Sequence, residues 1–86
     1  MTDKTAGVTG FGYGDDDKPL FRVEAGNDAE RAMEQASAMM ACARRMTLLA
    51  ATDGEADLGW AAHLLCDMVK AVMDDVEVGR NRSASQ

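Results

Sequence analysis

The sequence predicts an all-α fold, an antiparallel helical hairpin with a short extended N-terminal strip, and three observations predict it. Two long segments, about 28–51 and 55–78, repeat apolar residues at helical spacing. A polar break, Thr52-Asp53-Gly54-Glu55, separates them, and so short a connection makes the helices antiparallel neighbours. The apolar content, 47% of 86 residues, comes mainly from Ala and Met, with Phe11, Tyr13, Phe21 and Trp60 as the aromatics. Small side chains favour closely approaching helices over a thick core.

Helix one is expected to start at a cap formed by Asn27, with Asp28 and Glu30 complementing the positive helix end. Its apolar face is Ala29, Ala32, Met33, Ala36, Met39, Met40, Ala43, Met46 and Ala50; Glu30, Glu34, Ser37 and Arg45 fall opposite. Gly54 suits a positive φ at the helix end, and Thr52 or Asp53 can cap the next helix. Helix two carries Leu58, Ala61, Ala62, Leu65, Met68, Val69, Val72 and Val76 on one stripe, with Trp60, Leu64 and Ala71 beside it. His63, Asp67, Lys70, Asp74 and Glu77 form its wet side. Gly79 is read as the helix stop.

An apolar arc that wide exceeds what one neighbouring helix covers, so the hairpin is expected to dimerise into a four-helix bundle. Chain length argues the same way: a domain of this size buries only about two-thirds of its unfolded surface, and oligomerisation supplies the rest. The partner or dimer surface is assigned to Trp60, Leu64, Met68, Ala71, Met39 and Met46.

Outside the hairpin, residues 1–19 lack a hydrophobic period, repeat glycine at 7, 10, 12 and 14 and cluster their charge. They read as a flexible Gly/Asp-rich arm, with 20–78 as the domain and 79–86 as a flexible tail. Within the domain, Leu20-Phe21-Arg22-Val23-Glu24 is a brief extended run. One strand cannot form a sheet alone, so strand character here would call for a second copy across a dimer.

A net charge of −6 repels phosphate backbones and anionic lipid, which speaks against direct nucleic-acid or membrane binding. The start, MTDKTAGVTG, has neither the basic nor the apolar region of a signal peptide, so a cytoplasmic location is expected.

The stretches Phe21-Arg22-Val23 with Gly26, Ala32-Met33-Glu34-Gln35-Ala36-Ser37, Cys42-Ala43, Trp60-Ala61 and Met68-Val69-Lys70-Ala71 carry a resemblance. Over about Leu20 to Val78 the chain resembles a family of short bacterial proteins, frequent in pseudomonads and catalogued as a domain of unknown function. The resemblance implies a helical domain and nothing about activity, and it supplies no assigned catalytic or binding residues.

The candidates for chemistry are few. GFGYGDDDKP, residues 10–19, is not a phosphate loop: three aspartates and a proline stand where a helix N-terminus is needed. Nor does it space its carboxylates as a calcium loop does. Cys42 and Cys66 lie at nearly equal distances from Gly54, so the hairpin brings them to the same height. Buried thiols are the leading reading and a redox pair the alternative. With His63 they fall short of a structural metal set, and no cofactor is expected. His63 and Asp67, four apart, read as a solvated pair. Trp60 is read into the dimer core or as a partner anchor. Asp67, Asp74, Asp75 and Glu77 form an acidic surface near the end of helix two.

Together these features predict a non-enzymatic, homodimeric protein–protein interaction module. Two alternatives from other classes stand beside it: an acidic decoy for a nucleic-acid-binding protein, and a thiol switch through Cys42 and Cys66.

Overall fold

The computed structural model describes residues 3–85. Its order is β1 (Gly10–Tyr13), β2 (Pro19–Arg22), α1 (Ala29–Asp53) and α2 (Ala56–Ala84). The two helices form the expected hairpin, and a small antiparallel sheet is added to it.

Helix α1 is capped by Asp28 rather than Asn27: the Asp28 side chain accepts the Arg31 N–H at 3.1 Å. Asn27 instead donates its side-chain N–H to the Glu24 carbonyl at 3.2 Å. The helix runs two residues past the expected end at about 51, to Asp53, and Gly54 takes the expected positive φ at 70, with its N–H bonded to the Ala50 carbonyl. Thr52 and Asp53 belong to α1, where the Thr52 hydroxyl donates to the Leu48 carbonyl, so neither caps α2.

The helix seam is built on a seven-residue repeat of small residues. Ala29, Ala36 and Ala43 are buried on α1, facing a matching series of Ala62, Val69 and Val76 on α2. Seven residues make two helical turns, so each series returns to one line along its helix. Fully burying each valine stabilises the hairpin by roughly 1.5–3 kcal/mol. The molecule is only 14 Å across its shortest dimension, little more than one helix thick.

Three expectations are corrected at the termini. Residues 3–19 are not a flexible arm; residues 1 and 2 of that arm lie outside the described residues. β1 pairs with β2 in the register Gly10↔Arg22, Phe11↔Phe21 and Tyr13↔Pro19, and the two phenylalanine rings stack at 5.2 Å. The second strand thus comes from the same chain, not from another copy. The aspartate run makes the connecting turn: the Asp17 N–H donates to the Gly14 carbonyl, the Lys18 N–H donates to the Asp16 carboxylate, and Asp17 takes φ 59. Glycine and aspartate here encode a hairpin loop rather than disorder.

Nor does Gly79 end α2, which runs on to Ala84, so 79–85 is helix rather than tail; residue 86 lies outside the described residues. Gly79 is buried because a neighbouring segment lies against it, and that packing overrides its helix-stop signal. Among the described residues, no helix is long and apolar enough to cross a membrane.

Candidate interaction surface

Residues 3–28 form a strap across α2. Its two legs are tied by an isolated bridge between Lys4 and Asp28, by Thr5 N–H to the Asn27 carbonyl at 2.8 Å, and by Val23 N–H to the Thr9 carbonyl at 2.9 Å. Thr5 is buried at the base, donating its hydroxyl to the Glu24 carbonyl at 2.6 Å and accepting the Asn27 N–H at 3.0 Å. Neither strand packs against α1; β1 packs on α2.

The strap meets α2 at Asp75, whose side chain has no exposed surface. Its carboxylate accepts three successive backbone N–H groups, from Gly7 at 2.8 Å, Val8 at 2.9 Å and Thr9 at 3.0 Å, and the Thr9 hydroxyl at 2.9 Å. Gly7, at φ 80, turns the chain so that these amides converge, a backbone nest around an anion. Burial pushes the Asp75 carboxyl upward, and the bonds from Gly7, Val8 and Thr9 outweigh that effect, holding it below the ordinary carboxylate range. One turn on, Gly79 has no side chain where the Lys4 carbonyl approaches; a Cβ there would collide with that oxygen. The Arg80 guanidinium lies 3.8 Å from the Asp3 carboxylate beside this notch.

Asp75 is therefore removed from the expected acidic surface. The strap claims it, because a buried carboxylate needs a full set of donors and the loop supplies them. Asp67 and Glu77 are exposed, and Asp74 bonds the Lys70 ammonium at 2.7 Å. The sequence carried a signal for this role: Asp75 stands four residues after Ala71 and three before Val78, inside an apolar stripe. Gly79, four residues further, marks the same notch.

The strap also decides which of the expected dimer-surface residues are open. On α2, Trp60, Leu64, Met68, Ala71, Asp75 and Val78 follow one another at three- and four-residue steps, hence along one stripe. Ala71 and Asp75 are covered by the strap, Met68 is half-buried, and Trp60 and Leu64 are 67% and 58% exposed. Trp60 is thus not in this chain's core; its ring meets His63 edge-on at 6.0 Å. Met39 and Met46 on α1 are half-buried. His63 and Asp67 form a loose exposed pair at 4.0 Å.

On the side of the seam away from the strap runs an apolar groove of 510 Å³ lined by Met33, Met40, Val69 and Met73 with Arg44. It continues past Met40 and Arg44 to Thr47, Leu48 and Cys66.

The two cysteines do not meet. Both are exposed, which overturns the expectation of buried thiols. Cys66 borders the groove beside Met40 and Arg44, whereas Cys42 lies two residues from each and so about 200° around α1. Equal height on the hairpin left this rotation undetermined. Among the described residues, no three His, Cys, Asp or Glu side chains converge as metal ligands.

The chain belongs to the family described as protein of unknown function (DUF3077), whose model matches residues 5–79. The match starts at Thr5, so it takes in the strap as well as the helices that carried the resemblance in sequence. No curated protein and no solved structure matches the chain.

Proposed function

We propose that this protein is a non-enzymatic interaction module that acts as a homodimer, with two hairpins joined as a four-helix bundle. The observation that carries the reading is the exposed pair Trp60 and Leu64, four residues apart on α2, in a molecule barely thicker than one helix. Tryptophan is over-represented among residues that dominate binding, and large apolar side chains left on a small surface mark an interface. In the dimer, Trp60 and Leu64 of each copy fill the contact, and the acidic surface left on α2 favours partners that carry basic groups.

Sedimentation velocity tests this with wild type and Trp60→Ala/Leu64→Ser. The wild type is expected as a dimer and the variant as a monomer with unchanged helicity, since both side chains are exposed and contribute little to the single chain. A wild type that stays monomeric at high concentration would refute the homodimer, and a variant that stays dimeric would move the contact elsewhere.

A further inference from the structure

We infer that residues 3–28 are a releasable strap, latched to α2 by the Asp75 and Gly79 notch, which opens as a unit while the helices stay folded and so uncovers the other half of the Trp60 stripe. This rests on the proposed homodimer only for the use made of the uncovered face. The latch itself stands on geometry. Among the described residues, every hydrogen bond between the strap and α2 ends on the Asp75 carboxylate. Apart from the bonds that Asp3 and Asp28 accept from the first turn of α1, the strap's remaining bonds tie its own legs together, so it has a closed internal network that survives detachment.

The helix seam is built by the helices themselves: it is Ala29, Ala36 and Ala43 against Ala62, Val69 and Val76, and neither strand packs on α1. The strap joins α1 at its first residue, where the Ala29 N–H donates to the Asp3 carbonyl. Local openings follow such boundaries, where a cooperative unit with few contacts to its neighbour swings free. Opening exposes Ala71, in line with Trp60 and Leu64, together with Gly79 at the notch, and lengthens the surface available to a second copy. The same notch, once emptied, offers a carboxylate and a side-chain-free helix face to an incoming backbone.

Hydrogen exchange on the full chain tests the latch in two variants that fail in different ways. Asp75→Asn keeps the shape but brings its own N–H₂ against the Gly7, Val8 and Thr9 donors. Gly79→Ala leaves Asp75 intact and raises helix propensity, yet sets a Cβ against the Lys4 carbonyl. In both, the amides of Gly7, Val8 and Thr9 should exchange about tenfold faster or more, with those of 36–46 and 65–72 unchanged. Loss of protection in the helices together with the strap, or strap protection unchanged in Gly79→Ala, would overturn the latch. Sedimentation of the same samples tests the masking. Tighter association in both variants than in wild type supports it. A wild-type dimer no tighter after release overturns the masking and leaves the homodimer standing, whereas monomers throughout overturn both.

Discussion

The carboxylate of Asp75 and the backbone of Gly7 are 68 residues apart in sequence and 2.8 Å apart in the fold. That contact ties the first segment of the chain to the last helix. It turns a two-helix hairpin, which has no third element of its own, into a molecule with one flank covered and one open. Removing either side of the contact strands the other: the carboxylate loses all four donors, or three amides lose their acceptor.

The Asp75 latch should be insensitive to pH across the neutral range. A carboxyl held below its ordinary value of 3.8 contributes stability that is fully present above that value and is lost as pH falls through the lower, folded value. The charged groups flanking the latch on α2 are Arg80, 3.8 Å from the Asp3 carboxylate, and Lys70, 2.7 Å from Asp74. Amide signals of Gly7, Val8 and Thr9 followed by NMR should hold their shifts and protection from neutrality down to about pH 4 and lose them only in stronger acid. Release between pH 5 and 7 would contradict a carboxylate acceptor.

Ala43→Leu should cost roughly 1–3 kcal/mol, because Ala43 is 1% exposed on the seam and three more carbons there force the facing side chains to shift. Leu48→Ala, at a site 63% exposed, should stay within about 0.5 kcal/mol of wild type. Urea unfolding at low protein concentration distinguishes them. Equal effects would mean that the seam is not the alanine line of Ala29, Ala36 and Ala43.

Both thiols should react at once with a thiol reagent in the native protein, and the intact mass should show no internal disulfide. Cys42 and Cys66 face different sides of the hairpin, so oxidation can join cysteines only between chains. Cys42→Ala/Cys66→Ala should keep the wild-type helicity and oligomeric state with or without reductant. A monomer lighter by two hydrogens would show the pair to be within reach after all.

Much of this protein was legible in its amino-acid order, and each legible part has a local cause. The helical hairpin follows from apolar residues at three- and four-residue steps, and its turn from Gly54, the one residue there free to take a positive φ without cost. The small seam follows from alanines seven apart. These signals act within a few residues of one another, so composition and spacing decide them.

The tertiary structure alone decided the strap and the fate of Asp75, Gly79, Cys42 and Cys66. Gly-rich sequence with an aspartate run has no apolar period of its own, and the strap it forms is held on α2 because Asp75, far along the chain, supplies the acceptor for Gly7, Val8 and Thr9. Gly79 has the local character of a helix stop, yet stays helical because the Lys4 carbonyl occupies the space a side chain would fill. Height on a hairpin is fixed by counting residues from the turn. The direction a cysteine faces depends on how each helix is rotated about its axis, and only the packing of the alanine and valine lines sets that rotation.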